Sequence, residues 1–234
     1  MNGSFVSAAA RQRVRDLATP IARGLGRLGL SPNALTLIGF VGTCVAAFFA
    51  ASQQWFVAGV LVLAFGIFDL FDGTLARATG RATKLGAFLD STFDRAGEAI
   101  VYVGIAAGCL AAGFDFGAIL ASSAMAAAFM VSYTRAKAES LGFASGSGLA
   151  NIGLAPREVR VALLTVGLLA ASIVGPVGPP TFDCPADPLV LCAAPDAYVA
   201  GDIALGGTLA LVTVLATLTT IQRTLHVRAQ SREG

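Results

Sequence analysis

DLFDGTLARATGRATKLGAFLDSTFD, residues 69–94, places four aspartates, Asp69, Asp72, Asp90 and Asp94, inside a chain that is otherwise mostly apolar. Asp69 and Asp72 are three residues apart and Asp90 and Asp94 four apart, so each pair lies on one face of a helix. Between the pairs, GTLARATGRATKLG carries three glycines with Arg77, Arg81 and Lys84, the signature of a helix end, a turn and a new helix start. Two antiparallel helices joined this way direct four carboxylates at one volume. Such a charge density near membrane depth is costly unless cations neutralise it. An all-oxygen set of this kind favours hard divalent ions such as Mg²⁺ or Mn²⁺.

The rest of the sequence says where that volume sits. The chain has 234 residues, of which 56% are hydrophobic and only 13% charged, with a mean hydropathy of +0.75. A soluble domain of this size needs more polar surface than that, so the composition indicates an integral membrane protein. Nothing in it suggests a nucleic-acid partner. Residues 1–31 interleave Arg11, Arg13, Arg15, Arg23 and Arg27 with apolar residues and are broken at Pro20. That pattern suits an amphipathic helix on an anionic membrane surface better than a span or a signal peptide. Ser31 and Pro32 then signal a helix start. Spanning helices are expected over 33–52, 55–78, 85–112, 116–140, 157–176 and 199–222. The expected fold is therefore all-α, with six transmembrane helices in a single domain, 32–234, behind the juxtamembrane arm 1–31.

Charge sets the sidedness. All 16 Lys and Arg fall in the arm, in 77–95, 135–137 and 157–160, or in 223–232. The intervening loops hold Asp115, Asp183, Asp187 and Asp196 instead. The positive-inside rule puts the termini and the aspartates on the cytoplasmic side of the cell membrane. Cys184 and Cys192 lie in the long outer loop, where a disulfide is chemically allowed but not required by the spacing.

Asp69, Asp72, Gly73, Ala76, Arg77, Gly86, Asp90 and Asp94 together form the pattern D-x2-D-G-x2-A-R-x8-G-x3-D-x3-D. This resembles the CDP-alcohol phosphotransferase family, with every motif position filled. The resemblance implies a membrane enzyme that moves a phosphatidyl group from a CDP-linked lipid, CDP-diacylglycerol, to an alcohol and releases CMP. It further implies two metal ions on Asp69, Asp72, Asp90 and Asp94, with Asp94 as general base, and a homodimer. Gly73 and Gly86 leave room for a nucleotide or a neighbouring helix, and Arg77 suits a phosphate or a metal-bound carboxylate. The resemblance adds Asn33, Thr36 and Thr83 as nucleotide contacts, although Asn33 and Thr36 equally suit a helix cap.

A second group of polar residues falls at the cytoplasmic ends of the later helices. Ser132 and Arg135 share a stripe with Glu139, Arg157 and Arg160 follow Pro156, and Arg223 follows Gln222. They form a candidate pocket for a second anion, although topology alone also places arginines there. The group resembles that of the phosphatidylinositol phosphate synthases, which implies inositol phosphate as acceptor. The Glu158-Val159 pair between the two arginines departs from that subgroup's pattern. Transfer to glycerol 3-phosphate, as in phosphatidylglycerophosphate synthases, is one rival within the enzyme class, and use of a CDP-linked soluble alcohol with a lipid acceptor is another. An ion transporter with an intramembrane carboxylate site is the rival outside it.

Overall fold

A computed structural model of the chain describes residues 19–21, 24–143, 153–178 and 199–233. Most of the 1–31 arm, and the loop with Cys184 and Cys192, lie outside the described residues. Among the described residues the protein is all-helical, with six long helices: α1 Pro32–Ala51, α2 Trp55–Ala78, α3 Lys84–Ala111, α4 Asp115–Ser140, α5 Arg157–Val174 and α6 Ala200–Glu233.

Local sequence sets the boundaries. Ser31 caps α1, its Oγ accepting from the Ala34 amide at 3.1 Å, with Pro32 in the first turn. α2 ends ahead of Gly80, whose φ of 65° is a left-handed value that glycine adopts without strain. Thr83 caps α3 by accepting from the Gly86 amide at 3.0 Å. The last helix differs from expectation. It runs on past residue 222 to Glu233, because QRTLHVRAQSRE contains neither glycine nor proline and consists mostly of good helix formers.

The helices close into a ring in which α1 packs on α2, α2 on α5, α5 on α6, α6 on α4, α4 on α3 and α3 back on α1. The interior is apolar and finely packed, with Tyr102, Ile105, Leu168, Leu209 and Val212 fully buried. Outward faces are apolar as well: Val41, Phe48, Ile67, Val103, Ile119, Val166, Ile173 and Val214 are all exposed. A chain with apolar residues on both faces is built for a lipid solvent. α1, α2, α4 and α6 are each long and apolar enough to cross a membrane. α3 and α5 have the length, but their first turns carry the charges from Lys84 to Glu98 and from Arg157 to Arg160.

Lipid offers no hydrophobic drive between helices, so close backbone packing must hold them together. The α1–α3 seam shows how. A Cβ on Gly104 would lie 2.3 Å from the Ala47 carbonyl oxygen, and one on Gly108 would lie 2.1 Å from that of Ala50. Gly104→Val should therefore destabilise the fold by about 1–3 kcal/mol. Gly207→Ala, with nothing within 4 Å of the added carbon, should be neutral or mildly stabilising. Thermal melts of both variants in detergent test the contrast.

Candidate active site

The end of α2 and the start of α3 bring the aspartate pairs face to face, and the starts of α1 and α5 contact them. Asp72 is buried. It accepts from the Thr36 hydroxyl at 2.6 Å, and its other oxygen accepts from the Gly73 amide. Thr36 sits one turn into α1 and also contacts the Pro32 carbonyl at 3.2 Å. Ser31, not Asn33 or Thr36, is the residue that caps α1. The Asp90 carboxyl lies within hydrogen-bonding reach of Asp72, and Asp90 and Asp94 both feel the charges of Asp69 and Asp72.

The opposing cation comes from α5. Arg157 donates from Nη2 to Asp69 Oδ2 at 2.6 Å, and its Nη1 lies 3.1 Å from Asp94 Oδ1. One guanidinium thus spans a carboxylate from each helix, a planar fork that lysine cannot reproduce. Among the described residues no three acidic, His or Cys side chains are drawn together as a closed metal cage. The donor chemistry nevertheless fits a hard divalent cation. Every potential ligand is an oxygen, and four carboxylates against the Arg157 guanidinium leave an excess of negative charge.

Beside Asp72 and Asp90 lies an open groove whose walls include Asn33, Thr36, Gly73, Arg77, Thr83 and Gly86. Gly86 has the Thr83 hydroxyl and the Asn33 side-chain oxygen on its open side, at 3.1 and 3.2 Å from where a Cβ would stand. All five residues expected to touch a nucleotide therefore line one groove. The arginines expected to form an anion pocket are divided. Arg160 is turned inward at 1% exposure, with Nε 2.6 Å from Glu98 Oε1 and Nη2 2.7 Å from Glu98 Oε2. Arg223 is buried and donates to the Val131 carbonyl at 2.6 Å. Arg135 pairs with Glu139 at 2.8 Å on the exposed side of α4. Ser132 lines a small cavity with Arg95, Glu98 and Tyr102. Arg223 feels the charges of Arg135 and Arg160, each of which is itself paired with a glutamate.

The sequence profile of CDP-alcohol phosphatidyltransferases matches residues 29–178, which covers the aspartates and Arg157. The chain belongs to the CDP-alcohol phosphatidyltransferase family. This phosphatidyltransferase is 38% identical over 160 residues to the archaetidylinositol phosphate synthase of Pyrococcus horikoshii, covering 68% of this chain and 80% of that one. It is 34% identical over 228 residues to the phosphatidylinositol phosphate synthase of Streptomyces avermitilis, covering 96% and 83%. Among solved structures it is similar to the Mycobacterium tuberculosis phosphatidylinositol phosphate synthase with CDP-DAG bound, at 27% identity and a TM-score of 0.69, over 91% of this chain and 94% of that one. The same mycobacterial protein in complex with manganese and citrate gives a TM-score of 0.70 at 26% identity, over 90% and 88%.

Two residues near the phosphatidyltransferase site escaped the sequence reading: Glu98, the buried partner of Arg160, and Thr219, whose hydroxyl accepts from the Leu154 and Ala155 amides just ahead of Arg157. Glu98 extends the stripe of Asp90 and Asp94 by another four residues, a signal visible in D-x3-D-x3-E. Thr219 has no such signal, since it is one of several threonines along α6. The Thr36–Asp72 contact yields a direct expectation. Thr36→Val should weaken Mn²⁺ binding by about tenfold, the usual scale for losing a group that orients a ligand. Thr36→Ser should retain it. Calorimetric titration of Mn²⁺ into the purified protein measures both.

Proposed function

We propose that this enzyme transfers the phosphatidyl group of CDP-diacylglycerol to inositol phosphate, releasing CMP. The observation that carries the reading is the meeting of four carboxylates with the Arg157 guanidinium beside an open groove of small and polar residues. The inositol phosphate products named for relatives from Pyrococcus and Streptomyces support the acceptor. The groove residues Asn33, Thr36, Gly73, Arg77 and Thr83 hold the CDP end of the donor. Ser132, Arg135, Arg157, Arg160 and Arg223 supply the acceptor side, Arg160 and Arg223 from buried positions.

Two divalent ions, Mg²⁺ or Mn²⁺, held by Asp69, Asp72, Asp90 and Asp94, would neutralise the diphosphate and the charge that develops on it. The acceptor hydroxyl attacks the phosphorus that bears the lipid. A new P–O bond forms, the bond from that phosphorus to the CMP oxygen breaks, and the hydroxyl proton passes to the Asp94 carboxylate. Contact with Arg157 orients Asp94 for that transfer. The reading includes six spans within 32–234, an amphipathic 1–31 arm on the membrane surface, and a homodimer. The active site faces the cytoplasm at the plasma membrane, as the placement of every Lys and Arg in the chain supports.

Two measurements test this. Asp90→Asn should abolish metal-dependent CMP release, and Asp94→Asn should lower turnover roughly 10²–10⁴-fold with better retention of CDP-lipid binding. Inositol phosphate should support CMP release where free inositol does not. Arg223→Ala should raise the KM for inositol phosphate about tenfold, by loss of a charge-assisted hydrogen bond, and leave the KM for the CDP-lipid nearly unchanged. Robust turnover of free inositol would overturn the acceptor assignment, and preference for glycerol 3-phosphate would overturn its identity.

A further inference from the structure

The turn that delivers Arg157 is anchored from two sides by buried side chains outside the carboxylate cluster. Thr219, fully buried on α6, accepts from the backbone amides of both Leu154 and Ala155 at 2.9 Å through one hydroxyl oxygen. The same hydroxyl donates to the Leu215 carbonyl at 2.8 Å, so its hydrogen-bonding capacity is fully used. Gly153, at φ 125°, makes the approach feasible: a Cβ there would sit 2.2 Å from Thr219 Cγ2. From the opposite side Arg160 Nη1 donates to the Ala155 carbonyl at 2.8 Å, while Glu98 on α3 holds the rest of that guanidinium in a two-point ion pair. The amide and the carbonyl of Ala155 are thus each tied to a different helix. Pro156 follows with its fixed φ, and Arg157 begins α5. Glu98 and Arg157 also line one small cavity beside Asp69.

We propose that Thr219 and Glu98 are positioning residues for the reaction: they lock the 154–156 turn and so hold the Arg157 fork between Asp69 and Asp94. On this proposal each acts through Arg157, Thr219 by way of the Leu154 and Ala155 amides and Glu98 by way of Arg160. The role of Arg157 toward the acceptor rests on the function proposed above, but its contest with a cation for Asp69 and Asp94 does not. A guanidinium held at those oxygens competes with a divalent ion for the same carboxylates, so its removal or misalignment changes metal affinity in a stated direction.

The test is a double-mutant cycle read on Mn²⁺ affinity by titration of the full-length protein in detergent, with CMP release as a second readout. Arg157→Ala should tighten Mn²⁺ binding by up to about fivefold, the worth of a partly exposed ion pair. Thr219→Val should shift Mn²⁺ affinity in the same direction and lower CMP release, Thr219→Ser should restore both, and Thr219→Val should add nothing to Arg157→Ala. A purely structural role would instead weaken Mn²⁺ binding equally in both backgrounds. That additivity, or no change in Thr219→Val, overturns the proposal. If Thr219→Val does not accumulate as folded protein, Thr219→Ala, which removes the same hydroxyl without adding bulk, carries the same cycle with the same outcomes. The titration uses no acceptor, so failure of inositol phosphate as a substrate leaves the positioning result readable.

Discussion

The Arg157 fork between Asp69 and Asp94 is the contact on which the site depends. Four carboxylates on the ends of two adjacent helices repel one another, and apolar surroundings strengthen that repulsion. A cation at these oxygens relieves that repulsion, whether a bound metal ion or a side chain from outside the α2–α3 hairpin. α5 supplies such a side chain across a sequence separation of 88 residues to Asp69, so the hairpin that carries the motif draws its side-chain cation from the second half of the chain. The ring order makes this work, because α5 packs directly on α2.

Polarity then falls off with depth. At the mouth, Arg135 and Glu139 form an exposed pair at 46% exposure each, an arrangement that contributes at most about 1 kcal/mol. Deeper in, Glu98 and Arg160 are nearly sealed from solvent. Removal of either partner there leaves a buried charge and costs on the order of 3–5 kcal/mol. The inner pair is therefore poorly suited to letting go for a ligand, whereas the outer pair can exchange partners cheaply. Below Glu98 the ring is closed by Tyr102, Ile105, Leu164 and Leu168, and glycines on α3 bring the α1 backbone into contact. The apolar ring gives the polar end a rigid base, which a site with side chains aimed to within fractions of an ångström requires.

On the function proposed above two substrates meet at one cluster, and the surroundings of the aspartates are asymmetric in a way that suits separate approaches. One flank is a groove with small residues and side-chain oxygens, Gly73, Gly86, Thr36 and Asn33, where a flat nucleotide can approach backbone closely. The cations of the proposed acceptor side come from α4, α5 and α6, where Arg135, Arg160 and Arg157 are each paired with acidic side chains and Arg223 donates to the Val131 carbonyl. Arg157 lies away from that groove, in contact with Asp69 and Asp94 and lining a small cavity with Asp69 and Glu98.

The sequence alone determined the helical plan, because composition and periodicity are local properties. The helices at 32–51, 55–78, 84–111 and 115–140 begin and end within a residue of their expected limits, at Ser31, Gly80 and Thr83 signals that act over one turn. Spacing also put each aspartate pair on one helix face, and the filled motif pointed to the family that the profile match shows. Tertiary structure decided how the arginines divide. Arg157 and Arg160 are one helical turn apart and chemically identical, so nothing local distinguishes the one that faces Asp69 from the one buried on Glu98. The same holds for Thr219, whose hydroxyl matters only because α6 passes Ala155 at hydrogen-bonding distance. Side-chain direction at a helix end follows from which neighbours the ring brings alongside, and that is a property of packing among distant segments.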